Sequence, residues 1–313
     1  MRERELQPEP MRRARNIWSE RTRSASADAP ALARAWRTPW QRLRSSPAAL
    51  ASTVVLTLLL AAALLAPALA PYHPAQISTG APLEPPGVGH FLGTDRYGRD
   101  MFSRILYGAR LSLPSGLAAV IFSLVTGSLL GLLTGFFGGR IDSVGTKAID
   151  IMLGFPPIML ALLIIAVLGI GLGNVVLAVG IAGMPRFARI VRGSTITVRE
   201  HMYVEAARAL GIPNMRILFR HILPNVQGPI IVLATLYVGR AILESSALGF
   251  LGMGVQPPTP EWGTMLGEGR EFMRYAPWLM IFPGLAIFVT VVSINLLGDW
   301  LREVLDPRLR RQT

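Results

Sequence analysis

The sequence predicts an all-α, polytopic membrane protein with six transmembrane helices. Of its 313 residues 51% are apolar and only 16% are charged, and mean hydropathy is +0.44. A soluble domain carries about 25% charged residues. The uncharged residues also come in runs long enough to cross a hydrocarbon core of about 30 Å, which takes about 20 residues of helix.

Residues 1–47 are rich in Arg, Ala, Ser and Pro and carry no helical stripe. They read as a flexible basic cytoplasmic tail drawn to anionic lipid, with no role for nucleic acid. Residues 48–70 contain no charge and make the first span. Ala68-Leu69-Ala70 resembles the end of a cleavable signal, but the apolar run is too long for one and Pro71 follows the candidate site. An uncleaved anchor is predicted.

Residues 71–110 read as an extracytoplasmic segment with an interfacial helix. Asp95/Arg99 and Asp100/Arg104 are spaced i,i+4, and Phe102, Ile105, Leu106 and Ala109 form an apolar stripe. A structural role is expected there rather than a substrate contact. The second span lies in 111–139, where Gly127, Gly131, Gly135 and Gly139 recur every fourth residue, a spacing that permits close helix–helix approach.

The uncharged run 151–185 is nearly enough for two spans, and the glycine cluster with Asn at 169–174 divides it. The fifth span starts at Gln227 and continues past Arg240 and Glu244 to Phe250; the sixth is 278–298. Residues 111–298 form the core, and 299–313 a C-terminal tail. With both termini inside, the inner segments 1–47, 140–150, 186–225 and 299–313 hold 24 of the 31 basic residues. That is the positive-inside bias expected of an inner- or plasma-membrane protein.

Several chemistries are missing. The chain has no Cys, hence no thiolate nucleophile and no Cys-ligated metal. It has no GxxxxGK[ST], HExxH or GxSxG, and its GxGxG at 169–173 follows no strand. His73 and His90 share an outer loop without a carboxylate cluster and read as solvated. No catalytic residue, metal site or cofactor site is expected in this chain.

The loop 196–225 carries the strongest signal. It alternates small apolar residues with Arg in two amphipathic pieces. In the first, 199–210, Val204, Ala207 and Leu210 share a face flanked by Glu205 and Arg208. Gly211 suits a left-handed helix end. Pro213 suits the first turn of a second helix carrying Ile217, Leu218, His221 and Ile222. Pro224 is expected to stop it. Such a knob suits insertion into a partner's groove.

Glu205-Ala206-Ala207-x-x-x-Gly211, followed by His221-Ile222-Leu223-Pro224, resembles the EAA loop of binding-protein-dependent ABC importers. The His-Ile-Leu-Pro form is similar to the peptide and nickel branch. Gly93-Thr94-Asp95-x-x-Gly98-Arg99-Asp100, Phe250-Leu251-Gly252-x-Gly254 running on through Trp262-Gly263, and Asn295-Leu296-Leu297-Gly298-Asp299 agree. The resemblance spans about residues 36–309 and points to the second permease subunit of dipeptide/oligopeptide transporters.

That resemblance implies a type I ABC importer permease fold. The implied partners are a paralogous permease subunit, two ATP-binding cassette subunits that bind ATP and Mg, and an extracytoplasmic substrate-binding protein, beside the lipid bilayer that surrounds the spans. It implies that Glu205 pairs with a basic residue of the ATPase, that Ala206 and Ala207 allow close approach, and that Gly211 sets the turn, with Ile217, His221 and Pro224 completing the docking element. Gln256, Pro257, Pro258, Glu261 and Trp262 would lie near the binding protein or the pore mouth. Arg240 and Glu244, four apart near the outer boundary, are candidates for an outer gate or for a brace.

Di- or oligopeptides are the leading substrate, with glutathione, nickel or opines open. A membrane-anchored scaffold or sensor would use the same loop without transport. A secondary transporter is disfavoured by the near-absence of mid-span carboxylates.

Overall fold

The computed structural model describes Leu43 and residues 46–305. Contacts divide the chain into two units, residues 1–50 with 306–313, and residues 51–305. The second holds the bundle. The expected basic tail 1–47 and the end of the C-terminal tail lie almost wholly outside the described residues.

Helix α1 (Pro47–Leu64) is followed after Leu65 by the short α2 (Ala66–Leu69). Pro67 lacks an N–H and breaks the expected single span near its end. Much of α1 is exposed, Leu58 and Leu64 among its outward residues, as befits a helix solvated by lipid.

Between α2 and the next helix lies an irregular segment whose regular pairing, among the described residues, is one antiparallel bridge between Thr94 and Asp100. Helix α3 (Met101–Phe137) then runs unbroken, with Asp100 as its N-cap accepting from the Ser103 backbone N–H at 2.8 Å. The expected interfacial helix is therefore the first turns of α3, and residues 95–100 are loop. Asp95 pairs with Arg99 as the spacing predicts. Asp100 and Arg104 do not pair: capping and His90 occupy Asp100 instead. His90, expected to be solvated, is buried with its Nδ1 2.8 Å from Asp100.

Helix α4 (Gly139–Leu153) is amphipathic. It is followed by Phe155-Pro156-Pro157 and then α5 (Pro157–Leu168), bent from α4 by 98°. The third span was expected from residue 151; the two prolines start it at 157, since a residue preceding proline disfavours the α region. Among the described residues five helices are long and apolar enough to cross a membrane, or six if α4 and α5 count as one bent span.

After the glycine turn, α6 (Leu172–Arg199) continues through Arg186, Arg189 and Arg192, well past the end expected for the fourth span. It packs on α3 along the glycine row. A Cβ at Gly127, Gly131 or Gly135 would come within 2.5, 2.5 and 2.8 Å of the carbonyl oxygens of Met184, Ala188 and Arg192. Gly139 does not extend that row; it opens α4, where a Cβ would meet nothing.

Three short elements follow: α7 (Met202–Ala209), α8 (Asn214–Ile217) and a π-helical stretch (Leu218–Ile222) that leads into α9 (Leu223–Phe250). Pro224 does not stop this run. The Leu223 N–H reaches back to the Leu218 carbonyl, a π-type register, and Pro224 sits in the first turn of α9, where a missing N–H costs little. A loop, the helix α10 (Trp262–Gly269), a 3-10 turn (Arg270–Phe272) and α11 (Trp278–Leu305) complete the unit. Helix α11 thus takes in residues 299–305 of the expected tail.

Candidate functional site

The knob between α6 and α9 is held from below. Val204 and Ala207 of α7 join Ile217, Leu218, Ile222 and Val226 in one cluster with Leu132 and Phe136 of α3. Glu205, Ala206 and Arg208 face outward. Of the expected alanine pair, then, Ala206 is on the surface and Ala207, 5% exposed, packs inward. Leu210 also departs from expectation. It is 80% exposed, because α7 ends at Ala209 and the chain turns before it can reach the buried face.

That turn is a Schellman motif. The Gly211 N–H donates to the Arg208 carbonyl at 2.9 Å and the Ile212 N–H to the Ala207 carbonyl at 3.1 Å. Gly211 adopts φ +72°, the left-handed conformation costly for a residue with a Cβ. Met202, Tyr203, Leu210, Met215 and Phe219 of the same loop also present exposed apolar surface. Ile217 is fully buried, His221 half-buried, and Pro224 exposed.

Arginines counted from sequence as loop charges fasten this end of the bundle. Arg192 grips Asp142 of α4 through two bonds of 2.6 and 2.7 Å, and Arg189 pairs with Asp150. The Arg192 guanidinium holds the Asp142 carboxyl below the usual carboxylate range. Arg199 donates to the Gly135 carbonyl at 2.9 Å, satisfying the last turn of α3, while Arg208 lies 5.1 Å over the Phe136 ring. The knob thus shares its core with α3 and α9, and α6 is tied to α4 by two ion pairs.

The opposite end is locked by a buried polar network. Arg104 donates to Glu268 at 3.0 Å and to the carbonyls of Pro74 and Pro258 at 3.2 and 3.1 Å; Arg99 reaches the same Glu268. Glu261 caps α10 through the Gly263 and Thr264 N–H groups and accepts from Ser112. The Trp262 indole N–H donates to the Ile105 carbonyl at 3.0 Å. Glu261 and Trp262 therefore point into the fold, whereas Gln256, Pro257 and Pro258 remain exposed. An open cavity of about 260 Å³ adjoins them, lined in part by Arg96, Gln256, Glu268 and Arg270.

Between these ends, Arg240 Nε donates to Glu244 at 2.8 Å, with Arg240 47% and Glu244 13% exposed. The Tyr237 hydroxyl lies 3.4 Å from Glu244, and Arg186 of α6 lies 5.8 Å over the Tyr237 ring. Arg186 escaped notice in the sequence because a charge at the end of an apolar run reads as a loop residue.

The family model described as "binding-protein-dependent transport system inner membrane component" matches residues 127–311 of this chain. The chain belongs to that family. The model for the N-terminal TM domain of oligopeptide transport permease C matches residues 34–86 of the permease. The permease is 45% identical over 275 residues to the dipeptide transport system permease protein DppC of Alkalihalophilus pseudofirmus, covering 88% of this chain and 90% of the relative. It is 44% identical over 276 residues to the glutathione transport system permease protein GsiD of Pectobacterium atrosepticum, covering 88% and 92%.

Among solved structures, an inward-facing form of the MetNI methionine ABC transporter superposes with a TM-score of 0.52 at 20% identity, covering 66% of this chain and 98% of that one. The permease thus has the type I ABC importer fold. It is a transport subunit of the peptide and glutathione branch, embedded in a bacterial inner membrane.

Proposed function

We propose that this permease imports di- or oligopeptides, driven by ATP hydrolysed on two separate cassette subunits. The observation that carries the coupling is the face of α7: Glu205 and Ala206 outward, Val204 and Ala207 anchored in the cluster beneath. A groove on the ATPase would receive that face, with Glu205 against a basic residue and the exposed Met202, Tyr203 and Leu210 supplying apolar contact. Because α7 shares its core with α3 and α9, a shift of the docked knob would move the bundle as one body.

The knob and both termini lie on the cytoplasmic side in this reading, in keeping with the arginines concentrated there. ATP and Mg belong to the partner subunits, since the sequence carries no phosphate-binding loop of its own. A paralogous permease would complete the pore, and an extracytoplasmic binding protein would deliver substrate near Gln256, Pro257 and Pro258. Arg240 and Glu244 would line the path near its outer gate.

Peptide is favoured because two relatives at 45% identity are named for dipeptide and di/tripeptide transport, the second from Pseudomonas aeruginosa. Glutathione is the second reading, on the 44% relative named for it. Uptake of labelled dialanine, glutathione and nickel, in cells with and without this chain, separates them. Loss of dialanine uptake on deletion and with Glu205→Arg is expected. Loss of glutathione or nickel uptake alone would move the substrate, and no change in any flux would favour a scaffold.

A further inference from the structure

We infer that Arg186, together with Arg240, forms a carboxylate-binding station inside the bundle that holds the C-terminal carboxylate of a peptide in transit. The inference rests on the peptide reading above and adds the site at which the peptide is held.

Arg186 stands fourteen residues from the start of α6 and thirteen from its end. At 1.5 Å per residue that is about 20 Å from either end. Its neighbours Gly183 and Phe187 both pack on Tyr237 of α9, so Arg186 lies at the α6–α9 contact. Its guanidinium sits over the Tyr237 ring, 5.8 Å from the centroid, and pairs with no carboxylate among the described residues.

The next rung towards the α9 C-terminus is Arg240, three residues beyond Tyr237, and it already holds Glu244. Glu244 is also within 3.4 Å of the Tyr237 hydroxyl. The ladder therefore contains two guanidinium groups and one carboxylate. A second carboxylate would balance it, and the planar fork of Arg is suited to receive one through two parallel bonds.

Every peptide with a free C-terminus carries that group. It would first compete with Glu244 for Arg240, whose side chain is 47% exposed, and then pass to Arg186 beyond Tyr237. Glu244 acts as a resident stand-in that keeps Arg240 paired when the path is empty. Gly183 lets Tyr237 sit this close to α6, since a Cβ there would come within 2.6 Å of the Tyr237 hydroxyl.

The test uses the whole complex with its paralogous permease and ATPase subunits. The probe is alanyl-benzoylphenylalanine, as the free acid and as the C-terminal amide, photo-cross-linked in the absence of the binding protein. The free acid should label α6 or α9 at least tenfold more than the amide. Arg186→Gln should reduce acid labelling to the amide level, and Arg186→Lys, which keeps the charge but loses the two-bond fork, should retain only part of it.

Equal labelling by acid and amide in the unaltered complex, or selectivity that survives Arg186→Gln, overturns the inference. If Arg186→Gln blocks subunit co-purification, Arg240→Gln must abolish the selectivity in its place. Restoring assembly of Arg186→Gln by neutralising a carboxylate on the paralogous permease would assign Arg186 to that interface and also overturn it. Dialanine uptake separates the two levels. Uptake without labelling selectivity removes this station alone, whereas no peptide uptake by the unaltered complex removes the peptide reading and the station with it.

Discussion

Replacing Gly131 with alanine perturbs the α3–α6 contact at one of its tightest points. The new Cβ would lie 2.5 Å from the Ala188 carbonyl oxygen and 2.9 Å from both the Arg192 nitrogen and the Val191 Cβ. Ordinary contact begins at 3.4 Å, so the helices must part locally by about 0.9 Å. A gap of that size forfeits a quarter to a half of the dispersion energy of each contact it opens. Overpacking of this kind costs about 1–3 kcal/mol.

Alanine also gains up to about 1 kcal/mol of helix propensity, which a control must cancel. Gly193, on α6, supplies one: a Cβ there meets nothing within 4 Å. In SDS titrations of the reconstituted complex, Gly131→Ala should be less stable than Gly193→Ala by about 1–3 kcal/mol. Equal stability of the two variants would refute the argument that the glycine row sets the approach of α3 and α6.

Arg104→Ala should cost about 3–5 kcal/mol, because Glu268 is left largely buried with only the longer Arg99 contact; thermal unfolding of the complex reads this. Asp142→Asn weakens the hold on α4 by about 1 kcal/mol and raises hydrogen exchange across 139–153. The folded Asp142 pKa is lowered, so this pair contributes fully above the ordinary aspartate range of about 4 and is lost as pH falls through the lowered value. The protection that this pair gives α4 should therefore stay constant between about pH 5 and 8, after correction for the intrinsic pH dependence of exchange. Gly211→Ala puts a Cβ at φ +72° for about 1–2 kcal/mol of local strain, so uptake should fall further than membrane abundance does.

The glycine row and the amphipathic pieces on either side of Gly211 were readable in the sequence because each is a local period with one geometric meaning. The path of the chain through charge was not. Arg186, Arg189, Arg192 and Arg199 look like the close of a span, yet each is satisfied within the bundle or held over an aromatic ring, so α6 carries on. Pro224 looks like a stop, and a π register absorbs it.

Which of two adjacent alanines faces a partner depends on helix phase, and the break at Glu200–His201 resets that phase before α7 begins. Trp262 and Glu261 misled for a related reason. An aromatic and a carboxylate in an outer loop suggest a surface, but their partners, Ile105 and Ser112, lie some 150 residues earlier in the chain.

The absence of native cysteine permits a direct test of the coupling surface. Single cysteines at Ala206, Ala207 and Gln256, each carrying a benzophenone maleimide, would be photo-cross-linked in membrane vesicles of the complete transporter. The account predicts that Ala206→Cys captures an ATPase subunit, that Ala207→Cys labels poorly because the position is buried, and that Gln256→Cys captures no ATPase. Capture of the ATPase from position 256, or none from position 206 in an assembled complex, would contradict both the docking face and the orientation.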